Sequence, residues 1–105
     1  MSDKLLIHKF KESSDLVYDS EDYTSATILY FKTLFAIHDF ILLKKIGTAP
    51  KDHTERFRLL KKEYPDSYEL LDSEFNTYRS TYNRIISKET CERIKRLVED
   101  ELKKI

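Results

Sequence analysis

Tyr23-Thr-Ser-Ala-Thr-Ile-Leu-Tyr-Phe-Lys-Thr-Leu-Phe-Ala-Ile-His-Asp-Phe-Ile-Leu-Leu-Lys-Lys-Ile46 is the stretch that decides the fold. It holds no Gly and no Pro, so nothing in it interrupts a helix. Ile28, Phe31, Phe35 and Leu42 fall near one row at helical spacing; Ala26, Tyr30, Leu34, Ile37 and Ile41 fall near another. A helix that is apolar nearly all round must be buried against several neighbours. It is therefore expected at the centre of a small helical domain. A membrane span is the weaker alternative, because Lys32, His38 and Asp39 would sit mid-span, where ionisable groups are costly.

The flanking sequence supplies the neighbours. Residues 3 to about 17 read as a first helix, with Leu6, Phe10 and Val17 on its apolar stripe and Ile7 and Leu16 widening it. Asp19-Ser-Glu-Asp22 offers an N-cap and first-turn acids to the central helix, and Lys44, Lys45 and Gly47 suit its C-terminus. Asp52-His-Thr-Glu55 fits a capping box opening a short helix. His53, Phe57, Leu60 and Tyr64 share its apolar face, with Arg56, Arg58, Lys61 and Lys62 largely off that row.

Pro65 ends the short helix, and Asp66-Ser-Tyr-Glu69 fits a second capping box. The fourth helix carries a seam of Tyr68, Leu71, Phe75, Tyr78, Tyr82 and Ile85 beside a polar row of Asp72, Asn76, Arg79 and Asn83. Ser87 caps the last helix, whose stripe is Cys91, Ile94, Val98, Leu102 and Ile105. The expected fold is all-α: an antiparallel up-and-down bundle of four main helices plus one short helix, a single domain over residues 1–105.

Composition agrees and narrows the function. A single Gly and two Pro leave little material for the turns of an all-β fold. The formal net charge is zero, so no global field steers nucleic acid or membrane to the chain. Charge is uneven locally: residues 44–62 carry seven bases against Asp52 and Glu55, and residues 63–74 carry five acids and no base. Such blocks read first as solvated faces and second as a patch for a phosphate-bearing partner. One Cys excludes an intrachain disulfide, and the N-terminal residues lack the apolar run of a signal peptide, so a cytoplasmic setting is expected.

Candidate chemistry is sparse. His8, His38, His53 and Cys91 share no metal-ligand spacing, and one Gly cannot make a phosphate loop; no metal and no cofactor is expected. Cys91 falls on an apolar stripe and reads as a structural thiol. His38 reads as a satisfied core histidine. His53, in a first helical turn, reads as a packing or capping residue or, more sharply, a phosphate contact. Arg79 beside the tyrosine-rich seam reads either as a tie between helices or as an anion-binding group at a dimer cleft, with Asn76 and Asn83 one turn away on its row.

Three features resemble the HEPN family, small prokaryotic helical domains often encoded beside minimal nucleotidyltransferases. They are the aromatic and aliphatic helix Tyr23 to Ile46, the Gly47-Thr-Ala-Pro50-Lys-Asp-His53 connection, and Tyr78-Arg79-Ser-Thr-Tyr82 followed by Ser87-Lys-Glu-Thr-Cys-Glu. The resemblance covers residues 23–105. It implies a homodimer that partners a minimal nucleotidyltransferase, as in toxin–antitoxin pairs, or binds a nucleotide or RNA at the dimer cleft. Toxin members cleave RNA without metal, using an Arg followed four to six residues later by His. Arg79 matches that arginine, but Arg84, Ile85 and Ile86 occupy the histidine positions. A group that exchanges protons near neutral pH is missing there. The expected function is thus a non-catalytic interaction module with Arg79, Asn83, Asn76 and His53 as anion-binding candidates. The alternative is a metal-independent endoribonuclease using Arg79 with Tyr82 or His53.

Overall fold

A computed structural model describes residues 3–105 as five α-helices: α1 (Asp3–Asp19), α2 (Tyr23–Ile46), α3 (His53–Glu63), α4 (Pro65–Ser80) and α5 (Lys88–Leu102). The all-α bundle expected from the sequence is the fold, with no strand among the described residues. α2 packs against each of the other four helices. Ala26, Tyr30, Phe31, Leu34, Ile37 and Leu42 are all buried along it, on adjoining rows that cover about half of its circumference. By length and composition alone α2 would also cross a membrane; here four helices cover it.

Its ends are set locally. Asp22 Oδ1 accepts the Ser25 amide at 3.1 Å, and Gly47 closes the helix in the left-handed conformation (φ 79°), its N–H bonding Leu43 O at 2.9 Å. The Asp52 box forms as expected, with Asp52 Oδ1 accepting the Glu55 amide, although Glu55 reaches back to the amide of Lys51. Ser87 caps α5 through the Thr90 amide.

Three local expectations are corrected. In α1 the buried residues are Ile7 and Ser14, whereas Leu6 and Leu16 are exposed. Ser14 Oγ lies 3.3 Å from Thr33 Oγ1 of α2. Two small side chains bring the two backbones close, and that contact sets the rotation of α1. The second capping box does not form. Tyr64 alone joins α3 to α4 in an extended conformation and Pro65 takes the first helical position, so Asp66 falls in the first turn, where its charge still suits the helix dipole.

The α4 seam holds only to Tyr78. The helix closes at Thr81, whose N–H bonds Tyr78 O, and the hydroxyls of Ser80 and Thr81 donate to Thr77 O and Tyr78 O in the same last turn. Tyr82 and Ile85 are therefore thrown outward, Ile85 to 95% exposure. Ile86 is buried instead, with its amide bonded to Thr24 Oγ1.

Polar links cross the bundle. Tyr30 Oη donates to Asp15, Lys11 bridges Asp15 and Glu99, Tyr18 donates to Glu92, and Arg93 holds Glu74 through two nitrogens. His38 has no such link. It is buried as expected, yet neither ring nitrogen has a hydrogen-bond partner among the described residues, and Glu101 Oε1 lies 3.9 Å from Nε2, beyond bonding range. A neutral imidazole always carries one N–H, so an unpaired donor is buried here. Burial, reinforced by the charges of Arg56 and Lys104, pushes the ring's pKa from its ordinary 6.5 down to about 3.

The unfolded chain thus takes up a proton at a pH where folded His38 stays neutral. The stability this site contributes is complete above the ordinary histidine pKa and declines as pH falls from there, at about 1.4 kcal/mol per pH unit at the steepest. His38→Leu is expected to flatten that acid limb and to stabilise the fold by about 1 kcal/mol near neutral pH by removing the unpaired donor. Urea unfolding of both proteins at about pH 7.5 and about pH 5 measures both effects.

Candidate functional site

A continuous edge of α2 stays partly uncovered between α1 and α3. Lys32, Phe35, Ala36, Asp39, Phe40 and Leu43 lie along it at three- and four-residue spacing, which places them on one face of the helix. Leu6 and Phe10 of α1 form one bank of the resulting groove and Ala49 closes an end, enclosing about 310 Å³. Two of the lining residues, Leu6 and Leu43, are 49% and 39% exposed.

Asp39 and Phe35 of this edge also meet a polar and aromatic cluster from α3 and α4. Arg56 of α3, buried to 8% exposure, donates from Nη2 to Asp39 Oδ1 at 2.9 Å and lies 4.8 Å from the centre of the Phe35 ring. Its Nη1 lies 2.6 Å from His53 Nδ1. An arginine only donates, so Nδ1 is the acceptor and His53 carries its proton on Nε2. Burial, then the Arg56 charge, lowers the His53 pKa, keeping the ring neutral. Phe35, Phe75 and Tyr78 surround this ring at centroid distances of 4.7, 5.3 and 5.5 Å. Tyr78 Oη lies 2.6 Å from Tyr82 Oη.

The sequence candidates are thus divided. His53 and Tyr82 join one chain of contacts through Tyr78, and His53 is both a packing residue and a bonded one. Arg79, Asn76 and Asn83 are exposed, and the Arg79 guanidinium has no hydrogen-bond or ion-pair partner among the described residues. Arg79 is not the tie between helices. Arg56 and Arg93 fill that role, Arg56 linking α3 to α2 and Arg93 linking α5 to α4.

Arg56 is the residue that sequence reasoning placed off the apolar face and missed. Its signal was the three-residue spacing from His53, which puts both on one face of α3, together with Asp39 as an acid on an otherwise apolar helix. Cys91 is buried, and burial pushes its thiol pKa up, away from nucleophilic use. No group of three or more His, Cys, Asp or Glu among the described residues is placed to hold a metal ion.

Removing the buried cation strips Asp39 of its partner and Phe35 of its cover. Arg56→Ala is expected to destabilise the fold by about 2–3 kcal/mol, and Arg56→Lys to recover only part of it, because a point charge cannot reach Asp39 and His53 together. Arg79→Ala is expected to stay within about 0.5 kcal/mol of the parent. Urea unfolding of the three variants separates the two arginines. No family model, curated protein or solved structure matches the chain.

Proposed function

We propose that this chain is a non-catalytic helical interaction module that works as a homodimer, with the α1–α3 groove as its contact surface. The observation that carries the proposal is the uncovered α2 edge. Leu6 and Leu43 present apolar surface to water there, with Lys32 and Asp39 seven residues apart on the same helix face. A two-fold axis near Phe35 and Ala36 sets two α2 helices antiparallel across each other. Lys32 of each copy then faces Asp39 of the other, so one patch is complementary to itself. Asp39 keeps the exposure this needs, 39% of its side chain, while bonded to Arg56. Zero net charge adds no repulsion between copies. The resemblance to HEPN domains supports the same reading, and it alone supports a minimal nucleotidyltransferase as a further partner.

The non-catalytic part rests on His53. The acceptor nitrogen of its neutral ring is occupied by Arg56, so no lone pair is free to take a proton from a substrate. One observation favours a second reading, metal-independent RNA cleavage: Arg79 is exposed with its guanidinium unpaired, as a phosphate contact requires. Incubating RNA with the parent and with Arg79→Ala decides it, since equal amounts of intact RNA eliminate the enzyme.

Sedimentation equilibrium tests the dimer. The expected mass at roughly 50 µM is twice the 12.6 kDa of one chain. Leu6→Glu combined with Leu43→Glu is expected to give a monomer with unchanged helical circular dichroism, since both positions are solvent-exposed in the single chain. A parent protein that stays monomeric at that concentration overturns the proposal.

A further inference from the structure

A second cavity lies apart from the α1–α3 groove, where the C-terminal half of α2, the α3–α4 junction and the end of α5 meet. It encloses about 410 Å³. Ile37, Ile41 and Ile105 give it aliphatic walls, Tyr64 an aromatic one, and Glu63 and Asp66 an acidic margin. Glu101 also lines it, with only 2% of its surface exposed.

The carboxylate of Glu101 is held from both sides. Oε1 accepts from the buried Ser67 hydroxyl at 2.8 Å. Oε2 pairs with Lys104 Nζ at 2.5 Å, and that cation is carried on a side chain that is 57% exposed. His38, the buried histidine without a partner, lies beside the same carboxylate. A buried ion pair adds little net stability over well-packed apolar residues. An apolar cavity with a few convergent polar groups is the form of a small-molecule site.

We propose that this cavity binds a small primary alkylamine, whose ammonium replaces that of Lys104 on Glu101. The ammonium brings a matching charge and three donors to a buried carboxylate whose present cation, Lys104, sits on a largely exposed side chain. The alkyl stem lies along Tyr64, Ile41 and Ile105. Glu63 and Asp66 attract cations to the mouth and repel anions. Lys104 acts as a tethered competitor: it covers the carboxylate while no amine is bound, and its exposed stem lets it swing into water when one enters. An alcohol of the same length cannot neutralise Glu101 and is rejected. This proposal does not depend on the homodimer.

Titration of the full chain with 1-aminohexane, followed by amide chemical shifts, is the test, with 1-hexanol as the control. The expected result is saturable binding of the amine, with shifts concentrated in residues 63–67 and 101–105, and binding of the alcohol about tenfold weaker or less. Lys104→Ala removes the competitor and is expected to tighten amine binding several-fold. Glu101→Gln is expected to abolish it. Because Lys104 is largely in solvent, its variant keeps the test valid even where the Glu101 variant does not fold. Equal response to amine and alcohol, or no saturable binding in both the parent and Lys104→Ala, overturns the proposal.

Discussion

A helix of 24 residues with apolar side chains on most of its circumference persists in water only if something covers nearly all of it. Much of the remaining architecture follows from that constraint. α1 and α5 cover two sides, and α3 and α4 lie over others. Each outer helix needs only one apolar stripe, because each meets α2 along one line. Ile7, Leu60, Leu71, Cys91, Ile94 and Val98 are the fully buried members of those stripes. The coverage stops short along Lys32 to Leu43, and there the molecule keeps its clearest apolar edge.

The same core contains polar groups treated in two ways. Arg56 pairs with the half-buried Asp39, bonds His53 and lies over the Phe35 ring, and only its Nε is left without a partner. His38 and Glu101 lie within 4 Å of each other without bonding, and their remaining hydrogen-bonding capacity is unmet or borrowed from an exposed lysine. A folded chain tolerates the first arrangement at little cost. The second costs stability, because it buries an imidazole N–H with no partner.

Periodicity conveyed the helices well because burial acts on side-chain spacing, and spacing is written directly in the chain. α2 runs from Tyr23 to Ile46 as read, and Asp52, Gly47 and Ser87 cap as their residue types require. What failed depended on neighbours. The rotation of α1 is set by Ser14 meeting Thr33, a contact between small polar side chains that a hydrophobic pattern does not register. α4 stops at Ser80, short of the apolar pattern that runs on to Tyr82 and Ile85, and its last turn is closed by Ser80 and Thr81 bonding to Thr77 O and Tyr78 O. Of the candidate site residues, His53 was named from its place in a first turn, whereas burial and Arg56 are what keep its ring neutral. Arg79 was favoured over Arg56 because sequence shows which residues share a helix face, whereas Asp39 reaches Arg56 from another helix.

The single-residue joint at Tyr64 has a further consequence. Tyr64 closes α3 through its bond to Leu60 and, with Pro65 next, opens α4 without any intervening loop. Its ring also walls the cavity above Glu101. A joint of one residue, its neighbour's φ fixed by a proline ring, has almost no internal freedom to lose. This side of the cavity therefore has its bound shape before anything binds. A guest there meets a wall already in place, and the entropy of ordering a loop does not count against its affinity.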